Sequence, residues 1–278
     1  MWANPELFRL DRNLCPTSVA GVPPDYFSES GQLWGNPLYD WDAMFSDGFD
    51  WWVKRIEKAK SQYDIVRIDH FRGLDRYYAI PADRDDAREG EWMQGPGLRL
   101  FNEVMIKLGD VNIIAEDLGV MDAGVARLME RTGFPGMKVL QFAFDGGEDN
   151  PYLPANFGEN SVVYTGTHDN DTTLGFLNSM TDEQFAKFKT KLRAALKSEN
   201  AAYPFVTREQ AVVAMNVCAL ASRACIAVLP VQDIMCLGSE ARMNLPGEPS
   251  GNWQFRLDKL PSRRSIALFK NAIKQFNR

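Results

Sequence analysis

Three short apolar runs in this 278-residue chain each close on a carboxylate. In Asp64-Ile-Val-Arg-Ile-Asp-His-Phe, the two-residue period of a strand puts Ile65, Arg67 and Asp69 on one face. An Arg and an Asp projecting the same way from an apolar strand are costly to bury unless paired, which marks them for a specific role. The run Val111-Asn-Ile-Ile-Ala-Glu-Asp-Leu-Gly places Asn112, Ile114 and Glu116 on one face, again with an acid at its C-terminal end. In Ser161-Val-Val-Tyr-Thr-Gly-Thr-His-Asp-Asn-Asp, the residues Val163, Thr165, Thr167 and Asp169 share a face. Acids gathered at the C-terminal ends of parallel strands suit two chemistries: binding of Mg²⁺ or Mn²⁺, or glycoside chemistry with one acid as nucleophile and another as proton donor. The aromatic residues Tyr26, Phe27, Trp34 and Tyr39 of the leading segment favour a sugar, whose apolar ring faces stack on such side chains. The two histidines, His70 and His168, are far apart in sequence and argue against a His-rich metal site.

The elements that must position these acids alternate. Helices are predicted over Asp47–Ala59, Gly97–Leu108 and Asp122–Arg131, with strands over Ile65–His70, Val111–Ala115, Lys138–Phe144 and Ser161–Thr167. Thr181 with Gln184, and Thr207 with Gln210, fit capping boxes that open helices running to about Glu199 and Arg223. The run Ala224–Val231 reads as a buried strand and Ser262–Phe276 as the last helix. Strands without polar alternation, separated by helices, indicate an α/β protein with a parallel sheet covered on both faces, either doubly wound or a β/α barrel. No Gly-x-Gly-x-x-Gly follows a predicted strand to favour a dinucleotide site. The first forty residues are rich in Pro, Gly, Asn and aromatics and show neither helical nor strand periodicity, so they read as a long functional loop. Trp51 and Trp52 fall on a predicted helix and read as core or interface residues.

Composition narrows the classes. With 31 Lys and Arg against 37 Asp and Glu, the formal charge of −6 offers no positive surplus to follow a phosphate backbone, so no nucleic-acid partner is expected. No apolar run reaches membrane-spanning length, so no membrane partner is expected. The N-terminus lacks a basic patch followed by an apolar stretch, which predicts a cytoplasmic protein. Cys15, Cys218, Cys225 and Cys236 are too irregularly spaced for a disulfide framework or zinc ribbon, and the last three are expected to be buried, reduced thiols.

The motifs themselves point further. Gly21-Val-Pro-Pro-Asp-Tyr-Phe-Ser-Glu-Ser-Gly-Gln-Leu-Trp-Gly-Asn-Pro-Leu-Tyr, Val66-Arg-Ile-Asp-His-Phe-Arg-Gly, Ile114-Ala-Glu-Asp-Leu-Gly and Thr167-His-Asp-Asn-Asp-Thr resemble 4-α-glucanotransferase, also called amylomaltase or disproportionating enzyme. Arg242-Met-Asn-Leu-Pro-Gly and Gly251-Asn-Trp-Gln-Phe-Arg extend the resemblance along the chain. It implies a retaining transglycosylase on a TIM-type β/α barrel, acting on α-1,4-glucans without an organic cofactor. By motif position, Asp69 would be the nucleophile, Glu116 the acid/base, and Asp169 the residue that holds the donor sugar's hydroxyls and stabilises the oxocarbenium-like transition state. Arg67 would set an opposite charge beside Asp69, and Glu116 would need a less polar setting with a raised pKa. His168 would donate to a sugar hydroxyl, Tyr26, Gln32 and Trp34 would line the glucan groove, and Asn244 would lie on its other side.

The family's first three barrel strands have no counterpart in this sequence. One barrel domain over residues 1–278 is therefore expected to be incomplete, with residues 1–46 as its substrate-groove loop region and with open edges that call for a complementing N-terminal fragment or self-association. Two further readings stand beside a transferase: an α-glucan hydrolase, and a non-catalytic glucan-binding fragment. Transfer requires that an acceptor sugar outcompete water, which a loop over the site would favour.

Overall fold

The computed structural model describes residues 3–24, 28–119, 121–248 and 250–278. The chain divides into two compact units, Met1–Gly136 and Met137–Arg278.

In the first unit the leading segment is not a loop throughout. Ser18–Val22 (β1) and Gln32–Pro37 (β2) are strands. They join Arg76–Pro81 (β4) and Glu91–Gln94 (β5) in an antiparallel sheet of order β2-β1-β4-β5. Periodicity hid β1 because its alternation runs through Gly21, where a side chain would strike the Gln32 carbonyl and Ile80, so the inward position holds no apolar side chain to read. The β1–β2 register slips between Val19 and Gly21, as at a β-bulge. The strands β4 and β5 are likewise additions to the sequence expectation.

The predicted parallel pair is present. Val66–Ile68 (β3) and Ile113–Ala115 (β6) pair with Ile68 opposite Ala115. Both strands are shorter than expected: β6 begins only at Ile113, and β3 stops short of His70, whose left-handed backbone conformation with φ 46° ends extended structure. The helices of this unit are Trp41–Ser46 (α1), Asp50–Lys60 (α2), Leu98–Leu108 (α3) and Ala123–Thr132 (α4). Trp52, Val53 and Ile56 from α2 and Leu100, Phe101 and Val104 from α3 form one buried cluster with Phe71, Ile113 and Ala115. Trp52 is thus a core residue, and Trp51 packs against the core partly buried. Phe71 is fully buried and stacks on Phe101 at 5.5 Å. Two residues after Asp69, it anchors the turn that carries that acid, and truncating so buried a ring costs about 3–5 kcal/mol.

The second unit is built on the strands Gly136–Val139 (β7, whose first residue closes the first unit), Ser161–Tyr164 (β8) and Ile226–Val228 (β9), in the order β7-β8-β9. Its helices are Thr173–Asn178 (α5), Asp182–Ser198 (α6), Arg208–Ala221 (α7), Val231–Ile234 (α8) and Arg263–Gln275 (α9). Both predicted capping boxes form, Thr181 with Gln184 and Thr207 with Gln210. Helix α7 is buried without interruption from Ala214 to Leu220, which makes it the centre of this core rather than a surface helix. Cys218 lies there, fully buried, with its thiol pushed up by desolvation, beyond the usual range. Cys225, expected to be buried, is exposed because it precedes β9 in a loop. Among the described residues no helix is long and apolar enough to cross a membrane.

Candidate active site

The ladder between β3 and β6 continues past the strands. Glu116 N–H donates to Ile68 C=O at 2.9 Å and Phe71 N–H donates to Glu116 C=O at 3.0 Å. Asp69 and His70 are thereby looped over the end of β6. The positive φ of His70 accompanies a backbone N–H that donates to Glu116 Oε2 at 2.7 Å, and Leu118 N–H donates to Oε1 at 2.8 Å. Each oxygen of Glu116 thus accepts one backbone donor. Burial nevertheless dominates and raises its pKa above the ordinary glutamate value, helped by the nearby charge of Asp69 and opposed by the two amides and Arg67. This is the less polar setting expected of Glu116.

Asp69 differs in exposure. Its side chain is 74% exposed, and Arg67 Nη2 lies 2.6 Å from its Oδ1, so the same-face pairing read from the strand period is present. Beside them His70 is desolvated, which lowers its pKa to about 4 and leaves the imidazole neutral near pH 7. Trp34 meets the His70 ring edge-on at 4.8 Å, and its indole N–H donates to Gln32 Oε1 at 3.1 Å. Both residues come from the exposed strand β2, so Gln32 and Trp34 stand next to the turn that carries Asp69. Tyr26 lies outside the described residues.

The second unit holds the other group. Strand β8 stops at Tyr164, and Asp169 lies in the following loop rather than on an extension of the strand face. The chain turns because Thr167 N–H and Oγ1 both donate to Asn170 Oδ1 at 2.8 Å. Asn244 Nδ2 donates to Asp169 Oδ1 at 2.6 Å, and Asn244 N–H donates to His168 C=O at 3.1 Å. The structure therefore joins three residues singled out in the sequence. His168 Nε2, expected to serve a sugar hydroxyl, lies 3.2 Å from Asp169 Oδ2.

Sequence reasoning assigned no role to the two residues that complete this arrangement. Arg242 Nη2 donates to Asp169 C=O at 2.7 Å and its Nε donates to Asn244 C=O at 2.9 Å, tying the two loops together. Trp253, 51% exposed, lies against His168 with 5.1 Å between rings. Both sit within motifs visible in the sequence, but nothing in their types alone distinguishes a clamp from surface packing. His70 was read only against a metal site, and its left-handed backbone carried no signal in the sequence.

Among the described residues no cluster of three or more His, Cys, Asp and Glu side chains could hold a metal ion. A cleft of about 910 Å³ in the first unit, lined by Tyr39, Trp41, Asp75, Tyr77 and Arg127, includes none of Arg67, Asp69 and Glu116. What the first unit offers is an exposed carboxylate paired with Arg67, a neighbouring half-buried carboxyl whose pKa is raised, and an aromatic residue close by. That combination can attack at carbon and deliver a proton.

The sequence profile described as 4-alpha-glucanotransferase matches residues 1–261. The chain is 51% identical over 259 residues to 4-alpha-glucanotransferase from Thermus thermophilus, covering 92% of this chain and 51% of that protein. It is 48% identical over 261 residues to 4-alpha-glucanotransferase from Streptococcus pneumoniae, covering 92% of this chain and 49% of that one. Among solved structures, amylomaltase from Streptococcus agalactiae in complex with acarbose superposes with a TM-score of 0.90 at 38% identity, over 100% of this chain and 54% of that one. The chain thus spans about half the length of the curated relatives it matches. Because sequence and fold agree across nearly all of its own residues, the chain belongs to the 4-alpha-glucanotransferase family.

Proposed function

We propose that this chain carries the chemistry of a 4-α-glucanotransferase: retaining transfer of α-1,4-glucan segments between maltodextrins, through a glycosyl-enzyme intermediate. The observation that carries the reading is the pair at the ends of β3 and β6, Asp69 open to solvent beside Arg67 and Glu116 withdrawn from it. In the first step an Asp69 carboxylate oxygen bonds to the anomeric carbon of the donor glucosyl unit. The bond from that carbon to the leaving O4 breaks, and protonated Glu116 delivers its proton to the departing oxygen. In the second step the Glu116 carboxylate takes the proton of an acceptor 4-hydroxyl. That oxygen bonds to the anomeric carbon, and the bond to Asp69 breaks. Two inversions give net retention.

Asp169 takes the third role in this reading, holding donor hydroxyls as charge develops on the ring; the hydrogen bond from Asn244 and the contact with His168 support it by fixing the carboxylate's orientation. Gln32 and Trp34 serve as groove residues, with the exposed indole offering a stacking face. Tyr26 takes the same role on the resemblance alone. We read the parallel strands as part of a TIM-type β/α barrel, supported by their strand–helix–strand order and the family resemblance. As the chain spans half the length of its relatives, turnover is proposed to draw on a complementing segment or a second copy.

The test is incubation with maltotriose, followed by chromatography for glucose and longer oligosaccharides. The chain is assayed alone and mixed with the N-terminal half of the Thermus thermophilus relative, with Asp69→Asn as control. Longer oligosaccharides that vanish in the control are the expected outcome. Glucose and maltose without longer products would make water the acceptor and the protein a hydrolase. Binding without products in either mixture would overturn the enzymatic reading.

A further inference from the structure

Behind the Asp169 loop lies a carboxylate with no part in the reaction above. Asp233, on α8, is 2% exposed, and the residues it meets, Thr165 and Thr173, are fully buried. Thr165 Oγ1 donates to its Oδ2 at 2.5 Å and Thr173 Oγ1 donates to the same oxygen at 2.7 Å. Thr173 N–H donates to Oδ1 at 2.8 Å. These partners bracket the loop: Thr165 is the first residue after β8, and Thr173 is the first residue of α5. One carboxylate therefore grips both ends of the segment that carries His168 and Asp169. The grip is itself held from behind, since Asn216 on the buried helix α7 donates its amide towards the Asp233 C=O at 3.5 Å.

The remaining fastenings of the loop come from several residues. Gln141 Nε2 donates to Asp171 C=O at 2.9 Å, and Ser239 Oγ donates to Asp171 Oδ2 at 2.6 Å. Arg242 and Asn244 hold the middle from the far side. Three hydrogen bonds converge on this one carboxyl, and all three of their donors are fully buried, so water cannot replace them when the carboxyl is removed. Removing the carboxylate would also leave two hydroxyls and an amide unpaired in the core, so the loop would move rather than stay in place.

We propose that Asp233 is a positioning residue of the donor site, clamping Thr165 to Thr173 so that Asp169 and His168 meet the sugar in one fixed orientation. It acts through the loop and does not touch substrate. The proposal rests on the reading of Asp169 as the donor-site carboxylate. A misplacement of about 1 Å in such a group costs on the order of 10²-fold in rate, so kcat should suffer and KM should not.

The test uses the isotope-labelled chain with Asp233→Asn, Thr173→Val and Thr173→Ser. Nuclear magnetic resonance reads the side-chain amide of Asn244 and the exchange of the Thr173 amide, while maltotriose assays with the complementing half read kcat and KM. Asp233→Asn and Thr173→Val should shift the Asn244 side-chain signals and lower kcat tenfold or more at nearly constant KM, and Thr173→Ser, which keeps the hydroxyl, should restore both. A folded Asp233→Asn or Thr173→Val variant with unmoved Asn244 signals would overturn the proposal and leave Asp233 a purely structural residue. If Asp233→Asn does not fold, the Val and Ser pair at position 173 decides alone. If the signals shift while the unsubstituted chain shows no turnover, the clamp stands and it is the transferase reading that falls.

Discussion

Each unit of the molecule holds a desolvated carboxyl group beyond the end of a parallel strand pair, Glu116 half-buried and Asp233 fully buried, and the two do different things. Glu116 accepts backbone N–H groups from His70 and Leu118, while Asp233 accepts two threonine hydroxyls and one amide. Burial raises the pKa of both, and hydrogen bonds pull both back. Glu116, however, borders Arg67 and the exposed Asp69, whereas Asp233 is 2% exposed and bonded to the fully buried Thr165 and Thr173. A raised carboxyl pKa therefore does not by itself mark a proton donor. Access does, because a general acid must reach the oxygen it protonates. The identity of the donors also matters: backbone amides survive every substitution at their own positions except proline, while threonine hydroxyls can be removed one at a time.

That contrast can be broken by experiment. Glu116→Gln should lower maltotriose turnover by about 10²–10⁴-fold and remove the alkaline limb of the pH–rate profile, which in the unsubstituted chain falls as pH rises through the raised pKa of this acid. Survival of activity would class Glu116 with Asp233 as structural. Asp233→Ala should cost roughly 3 kcal/mol of stability by urea denaturation, since it strands buried donors. Loss of activity with unchanged stability would instead place it in contact with substrate. Thr165→Val, which keeps the volume and removes one donor, should cost about 1 kcal/mol in the same assay.

The smallest effect concerns pH. A folded-state pKa above the unfolded value contributes stability that is full below the unfolded value and is lost as pH rises through the folded one. The stability advantage of the unsubstituted chain over Asp233→Asn should therefore narrow as pH rises above the ordinary carboxylate range, read from urea midpoints at each pH. A widening difference would mean that the threonine donors, not burial, control the carboxyl.

The parallel pair β3–β6, strand β8, the helices and both capping boxes were legible because each depends on local spacing. Thr181 and Gln184 need only three residues to satisfy each other. The run Lys138–Phe144, by contrast, leaves extended structure after Val139 for a 3-10 turn over Leu140–Phe142. Ala224–Val231, expected to be a buried strand, is extended only over Ile226–Val228 and is not buried there. The antiparallel sheet was not legible, because Gly21 interrupts the alternation at the point where β1 presses against β2 and Ile80. Cys225 was misplaced for a related reason: an apolar neighbourhood in sequence does not establish burial in space. In the site, Asp69, Arg67 and Glu116 were found from strand period and motif, while Arg242, Trp253, His70 and Asp233 were not given their places.

Residue types and short-range period thus settled which groups stand at the strand ends and which faces they share: Arg67 with Asp69, Glu116 one strand over, and the His168–Asp169 step after β8. The fold decided their environments. Glu116 is half-buried and Asp69 exposed although both end apolar strands, because the left-handed turn at His70 lays one stretch of chain over the other. Asp169 is oriented by Asn244 and Arg242, some 75 residues away in sequence, and its loop is gripped by Asp233, reaching back 68 and 60 residues to Thr165 and Thr173. Desolvation and long-range hydrogen bonding depend on what surrounds a group in three dimensions, and that information is not held by the residues next to it in the chain.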